Sequence, residues 1–361
     1  MTKKPSDIEE FSEKNKKTFK KRKKVFIIFL SCFLAVFFAA ISVVGIMWHL
    51  GKKGMTKSDA LLTPGEGLTA IINEDNTVVY KGKIYKYNDK IAAILCMGVD
   101  NDKKTSGGVA VTGRAGQADA LYLLAVDTQT GKTTVVGIPR DTITDIDIYS
   151  KTGNFLGVEE RQICLAYAYG DGKQLSCENT VKAVSRLLYG MPVNSYFSVD
   201  NKSIPALHNA VGPITVVPNE TINNGVVCYE KGVPVTLTGS NVFTYLQARN
   251  QDRADASYLR MERQLDYIKK YSSAAIEKTK KNVLFPVELY NKIQKNAVTN
   301  IDVSKITYLV SVVTKNKQTA SIEFVSLEGD QVKGEKNYAE FLPDEEKLFE
   351  TVLKVYYTEQ K

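Results

Sequence analysis

Past residue 76 the apolar positions fall first into a strand rhythm and later into a helical one. Thr77 to Tyr87 alternates apolar and polar residues around Lys81-Gly82-Lys83 and predicts a short hairpin. Ile91 to Met97 is an unbroken apolar run, as expected of a strand buried on both faces, and Gly98-Val99-Asp100 ends it with a carboxylate. Two further runs, Ala120 to Val126 and Thr133 to Ile138, flank a Gly-containing turn at Asp127 to Lys132 and predict a second hairpin. Asp119 opens its first strand and Pro139-Arg140-Asp141 closes its second. Antiparallel pairing therefore brings a carboxylate and a guanidinium to one edge of a sheet.

Helical spacing follows. It predicts helices over Arg161 to Gly170, Glu178 to Tyr189 (with Val181, Val184, Leu187 and Leu188 on one face), Ser203 to Ala210 and Val242 to Arg249. Tyr196 to Val199 and Ile214 to Val217 read as strands between them. After a polar break, a long helix starts near Asp255 or Ser257 and runs to Lys280, with Met261, Leu265 and Ile268 toward the core. Arg260, Arg263, Gln264 and Tyr267 share a different face. Helices at Val287 to Gln294 and Ser304 to Lys315, a strand at Ala320 to Val325 and a helix at Pro343 to Tyr357 complete the chain. The fold class expected is α/β, a central mixed sheet covered by helices on both faces.

Charge matters only once it is located. Of the formal net charge of +8, residues 1–24 carry ten Lys/Arg against four Asp/Glu, which leaves thirty-eight against thirty-six for the rest. No basic face for nucleic acid is implied. The basic tail abuts Val25 to Trp48, twenty-four residues without a charge, about 36 Å as a helix. This predicts a transmembrane signal anchor with a cytoplasmic N-terminus and an exported C-terminal bulk. Residues 49–76 are expected to be an extracellular stalk and 77–361 the catalytic domain, its motif core at 91–280. Asn101 to Gln117, polar and Gly-rich, is expected to be a loop over the site.

Past His49 at the outer end of the anchor there is one histidine, His208, and no CxxC spacing, which argues against structural zinc and His-based triads. Cys96 reads as a small core residue. Cys164, Cys177 and Cys228 leave a disulfide open, Cys177 to Cys228 being one pairing. The remaining constellation is Asp100 and Asp119 at strand ends, Arg140, Arg249 near a helix end, and Arg260, Arg263 and Gln264 on one helix. Carboxylates suit a hard cation such as Mg2+, and guanidiniums suit phosphate oxygens.

LCMGVD at 95–100, Asp119, IPRDT at 138–142, LTGSNVFTYLQARNQ at 237–251 and SYLRMERQ at 257–264 together resemble the LytR-CpsA-Psr family of cell-wall assembly proteins. The resemblance implies a membrane-anchored phosphotransferase of a Gram-positive-type envelope. Its reaction would move an anionic glycopolymer, a teichoic acid or capsular polysaccharide, from a polyprenyl diphosphate carrier in the membrane lipid to peptidoglycan. By motif position Asp100 and Asp119 are the implied ligands of Mg2+ (or Mn2+), and Arg140, Arg249, Arg260, Arg263 and Gln264 the implied diphosphate contacts, with Asp119 and Arg140 catalytic. Leu121, Leu123, Val242 and Leu246 are candidates for the wall of a lipid channel or for plain core. Two departures stand out: Gln117 occupies a position where the family often has arginine, and Gln251 follows Arg249 where the family often has a second one. Arg114 and Arg253 are nearby substitutes. A polyprenyl diphosphate hydrolase and a non-enzymatic envelope regulator are the alternative readings.

Overall fold

The computed structural model describes residues 42, 44–56, 62–65, 68–100, 115–223, 227–249, 255–316, 321–334 and 337–360. Met1–Leu50 and Gly51–Lys361 are two separate units, and the strands and helices that follow belong to the second. Among the described residues no helix is long and apolar enough to cross a membrane. The expected span lies largely outside them, as do the basic tail, residues 101–114 of the expected loop, Arg114, Gln251 and Arg253.

The first strands are β1 (Ile71–Ile72), β2 (Thr77–Tyr80), β3 (Lys83–Tyr87), β4 (Ile91–Asp100), β5 (Gln117–Asp127) and β6 (Thr133–Ile138). A hairpin of β7 (Ile143–Tyr149) and β8 (Phe155–Gln162) leads into α1 (Leu165–Ala168), α2 (Gln174–Leu187), β9 (Ser195–Asp200) and α3 (Ile204–Val211). Short strands β10 (Ile214–Val216), β11 (Ile222–Asn223), β12 (Cys228–Tyr229) and β13 (Val235–Leu237) precede α4 (Val242–Gln247), α5 (Ala256–Lys281) and α6 (Phe285–Ile293). The chain closes with β14 (Ala297–Thr299), α7 (Val303–Lys315), β15 (Ile322–Ser326), β16 (Gly329–Lys333), β17 (Ala339–Pro343), α8 (Glu345–Tyr356) and β18 (Tyr357–Gln360).

Among the described residues six strands form the central sheet, in the order β14-β9-β4-β5-β6-β15. β4 runs antiparallel to β5 and parallel to β9, and β6 runs antiparallel to β5 and parallel to β15, so the sheet is mixed as expected. Its central strands are apolar on both sides because both sides are covered. Leu95, Leu121 and Leu123 point into a core shared with Tyr167, Val184 and Phe349 from α1, α2 and α8. On the other face Tyr122 and Val135 meet Met261 and Leu265 of α5, while Ala92 and Ile94 meet Ile306 and Val312 of α7. Each fully buried leucine contributes about 1.5–3 kcal/mol.

α5 is 26 residues long, about 39 Å, and serves two cores. Its early turns lie on the sheet, where Gly137 permits close approach: a Cβ there would sit 3.4 Å from Met261 Sδ. Tyr267 and, further on, Tyr271 and Ala274 pack into a separate core with Val211, Leu237, Val242 and Leu246. His208 sits buried in this lobe, its Nε2 3.0 Å from the Leu237 carbonyl and its Nδ1 2.9 Å from Tyr267 Oη. A carbonyl only accepts, so Nε2 carries the proton and the tyrosine hydroxyl donates to Nδ1.

Several expectations need correction. Residues 161–162 belong to β8, not to a helix; the charged run Glu159-Glu160-Arg161 is the exposed side of a hairpin, and the helix is confined to Leu165–Ala168. α2 starts four residues earlier than expected, at Gln174, while the expected apolar face holds: Val184, Leu187 and Leu188 are buried and Val181 packs on the same core. The stretch expected to be a stalk contributes to the folded unit: Met55 and Leu62 are buried, and Leu68, Ala70 and Ile72 pack on the main core. The proposed Cys177 to Cys228 pairing does not form, because Cys177 lies in the sheet core and Cys228 is exposed on β12 in the other lobe; Cys96, Cys164, Cys177 and Cys228 are all free.

Burial holds the His208 pKa below its ordinary value. As pH falls, the unfolded histidine protonates first, so the stabilisation is complete above the unfolded pKa of about 6.5 and is lost as pH drops through the lower folded value. Thermal unfolding at pH 7.5 and pH 5 should therefore show a larger loss of Tm for the native chain than for His208→Gln. Equal losses would mean that His208 does not titrate differently in the two states.

Candidate functional site

β4 and β5 keep strict antiparallel register from Ile91 opposite Asp127 to Gly98 opposite Ala120, then slip, so that Val99 faces Ala118 and Asp100 faces Gln117. Over that step β4 advances by one residue and β5 by two, which makes Asp119 the extra residue of a β-bulge. Alternation from Leu121, Leu123 and Ala125 would have placed the residue at 119 in the main core. The bulge puts Ala118 there instead, fully buried, and leaves Asp119 with a 30% exposed side chain.

Arg140 reaches the same edge from β6. Pro139 ends the strand, and both the amide and the hydroxyl of Thr142 return to the Pro139 carbonyl, at 3.1 and 2.6 Å. IPRDT is thus a tight turn with Arg140 and Asp141 at its centre. The Arg140 guanidinium pairs with the Asp119 carboxylate and donates to Gln117 Oε1. Its Nη2 is 3.4 Å from Cys164 Sγ, and its Nε lies 3.3 Å from Asp141 Oδ1 without a hydrogen bond.

Arg260 arrives from the first turns of α5, 6% exposed, with Nη2 3.5 Å from the Asp119 carbonyl. Burial pushes its guanidinium down to about 10, and the positive charges of Arg140 and Arg249 add to the effect. It stays cationic at neutral pH, and among the described residues it forms no ion pair of its own. Arg249 is exposed beyond the end of α4, with Nη1 3.5 Å from Ser257 Oγ in the first turn of α5. Three guanidiniums therefore gather near the N-terminal end of a long helix, which itself favours anions.

The expected diphosphate contacts Arg263 and Gln264 stand differently. Arg263 is 2% exposed; its Nε donates to the Tyr245 carbonyl at 3.1 Å, its Nη1 to Glu220 Oε1 at 2.9 Å and its Nη2 to the Ala248 carbonyl. Gln264 accepts from Tyr122 Oη and donates to the Leu246 carbonyl, both at 2.9 Å. The Arg263 side chain is spent inside the protein, so the contact role expected for it is corrected to an internal one; Gln264, half-buried, bonds to Tyr122 and Leu246. The helix periodicity placed them beside Arg260 but carried no information about the carbonyls at the end of α4. The channel-wall candidates also separate: Leu121 and Leu123 lie in the main core, Val242 and Leu246 in the second.

Asp100 ends β4 with Oδ1 3.5 Å from Asn201 Nδ2. Among the described residues no three His, Cys, Asp or Glu side chains cluster as a metal cage. Two carboxylates at one sheet edge, Asp100 and Asp119, nevertheless fit a hard cation that takes the rest of its shell from water and phosphate oxygens, as Mg2+ does. Sequence reading missed Asp141, Cys164 and Glu220 as neighbours of the site; Asp141 was legible within IPRDT, whereas Cys164 and Glu220 reach it only through tertiary folding.

The LytR_cpsA_psr family model matches residues 66–354. The polyisoprenyl-teichoic acid–peptidoglycan teichoic acid transferase TagU of Enterococcus faecalis is 25% identical over 244 residues, 68% of this chain and 69% of that protein. Biofilm regulatory protein A of Streptococcus mutans is 27% identical over 237 residues, 63% of this chain and 54% of that protein, so the chain spans about half the length of that relative. The crystal structure of protein gbs0355 from Streptococcus agalactiae shares the fold, with a TM-score of 0.59 at 21% identity over 74% of this chain and 86% of that one.

The guanidinium cluster predicts stabilisation by anions. Inorganic pyrophosphate at a hundred times its Kd should raise stability by about 2.7 kcal/mol, read as a Tm increase, and Arg260→Ala should abolish the increase. A Tm indifferent to pyrophosphate would count against an anion site here.

Proposed function

This chain belongs to the LytR_cpsA_psr family, and from that premise we propose that it transfers an anionic glycopolymer, a teichoic acid or capsular polysaccharide, from a polyprenyl diphosphate carrier to peptidoglycan. The observation that carries this reading is the convergence of Arg140, Arg249 and Arg260 on the edge that also holds Asp119 and Asp100. Repelling cations brought together by the fold need an anion, and a diphosphate supplies enough charge to neutralise them. The teichoic acid transferase named among the relatives supports the choice of substrate class.

In this reading the guanidiniums of Arg140, Arg249 and Arg260 bind the diphosphate and stabilise the charge that builds on its oxygens. A peptidoglycan hydroxyl attacks the phosphorus that bears the polymer, in line with the bridging oxygen. The new P–O bond forms as the bond to polyprenyl phosphate breaks, and polyprenyl phosphate leaves with the electron pair. The hydroxyl proton passes to a base, for which Asp100 and Asp119 are the carboxylates at this edge. Asp100 and Asp119 would hold Mg2+, or Mn2+ in its place, and the chemistry it would supply there is neutralisation of diphosphate charge. Arg140, paired with Asp119 in the absence of substrate, turns to the phosphate oxygens when the substrate binds. Residues 25–48 anchor the chain in the membrane that holds the lipid carrier, with the catalytic unit outside.

Release of polyprenyl phosphate from a short-chain donor, with and without peptidoglycan fragments, tests the assignment. Turnover should require the acceptor, Asp119→Asn should abolish the metal-dependent turnover without loss of fold, and Arg140→Ala should lower kcat by roughly a hundredfold or more. Acceptor-independent release would point to a hydrolase, and undiminished turnover in Asp119→Asn would refute the metal assignment.

A further inference from the structure

Two of the three converging guanidiniums are fixed by contacts of their own: Arg140 by Asp119 and Gln117, Arg260 by its burial along α5. Arg249 is exposed and, among the described residues, makes one long contact, to Ser257. Its approach to two like charges is therefore governed by the backbone it leaves from. That backbone is the last turn of α4, which ends at Ala248 in an extended conformation (ψ 138°) one residue before Arg249.

The carbonyls at a helix C-terminus lack partners within the helix, and here α5 supplies them. Arg263 donates to the carbonyls of Tyr245 and Ala248, and Gln264 to that of Leu246. Arg263 is in turn held by Glu220, which arrives from the loop between β10 and β11; the two side chains are 1% and 9% exposed. A guanidinium that bridges two carbonyls and a carboxylate uses its rigid fork, which a lysine does not possess.

We infer that Arg263 and Glu220 are positioning residues for the anion site: Arg263 locks the end of α4 so that Arg249 is presented beside Arg260, and Glu220 holds Arg263 in the orientation that does so. The inference rests on the reading of Arg249 as a diphosphate ligand. It also assigns the second arginine of the SYLRMERQ segment a role that involves no contact with substrate.

Binding of inorganic pyrophosphate to the full chain in detergent, measured by calorimetry, tests it through a double-mutant cycle. Glu220→Gln should weaken binding about tenfold, Arg263→Lys by a comparable factor and Arg249→Ala by at least as much. Combining Glu220→Gln with Arg249→Ala should weaken binding by less than about twofold beyond Arg249→Ala alone, because the clamp acts through Arg249. Hydrogen exchange should quicken at Ala248 and Arg249 in Glu220→Gln and stay unchanged along β5, which separates local loosening from failure to fold. Should Glu220→Gln unfold β5 as well, the milder Glu220→Asp, which keeps the charge, must restore both binding and protection. Pyrophosphate affinity indifferent to Glu220→Gln, or a loss that adds in full to that of Arg249→Ala, overturns the positioning role. A native chain that binds no pyrophosphate instead overturns the diphosphate reading, and the role of Arg249 with it.

Discussion

One residue too many in β5 decides where the charged edge of this sheet sits. A strand gives its side chains to alternate faces without exception unless the count is broken, and the strict count from Leu121, Leu123 and Ala125 leads a carboxylate at 119 into an apolar core. Burying it unpaired there would cost several kcal/mol. The bulge opposite Gly98 and Val99 resets the phase, so the strand stays apolar where it is covered and presents Asp119 where it ends. Gly98 helps: a Cβ on it would already stand 3.2 Å from the Cβ of Ala120. Everything that meets at this edge, the Arg140 pair and the approach of Arg260 to the Asp119 carbonyl, follows from that shift.

The second constraint is repulsion. Guanidiniums do not collect of their own accord, and the molecule holds each from a different element: a turn after β6, a buried helical turn of α5 and the end of α4. α5 is common to the last two, since it lies on the sheet with Met261 and Leu265 and enters the other core with Tyr267. A helix seated in both cores cannot shift at one without being felt at the other. The relative placement of Arg249 and Arg260 is thus built on packing rather than on their own attractions.

Much of this was legible before any coordinates. The β5–β6 hairpin, the buried strand β4 and the long helix carrying Arg260 follow from periodicity, because these elements have strong and unbroken apolar patterns. The β7–β8 hairpin was not, because its exposed strand reads Glu159-Glu160-Arg161 and lacks an apolar face to count. Within the site, residue types foretold Asp119 with Arg140 but not the fate of Arg263. On a helical wheel Arg260 and Arg263 are near neighbours; only the carbonyls of Tyr245 and Ala248 and the carboxylate of Glu220, distant in sequence, tell them apart. Gln117 is the converse case: it breaks a pattern, and the structure gives it the Arg140 guanidinium to accept from.

The four thiols of the folded unit stand apart from one another, Cys164 and Cys177 buried, Cys96 half-buried and Cys228 exposed. No covalent staple joins the lobes, so the chain matures by packing alone and needs neither an oxidant nor an isomerase to reach its final form. Such a domain is indifferent to the redox poise around it. Cys228, the thiol open to solvent, also offers a natural handle for attaching a reporter to the smaller lobe.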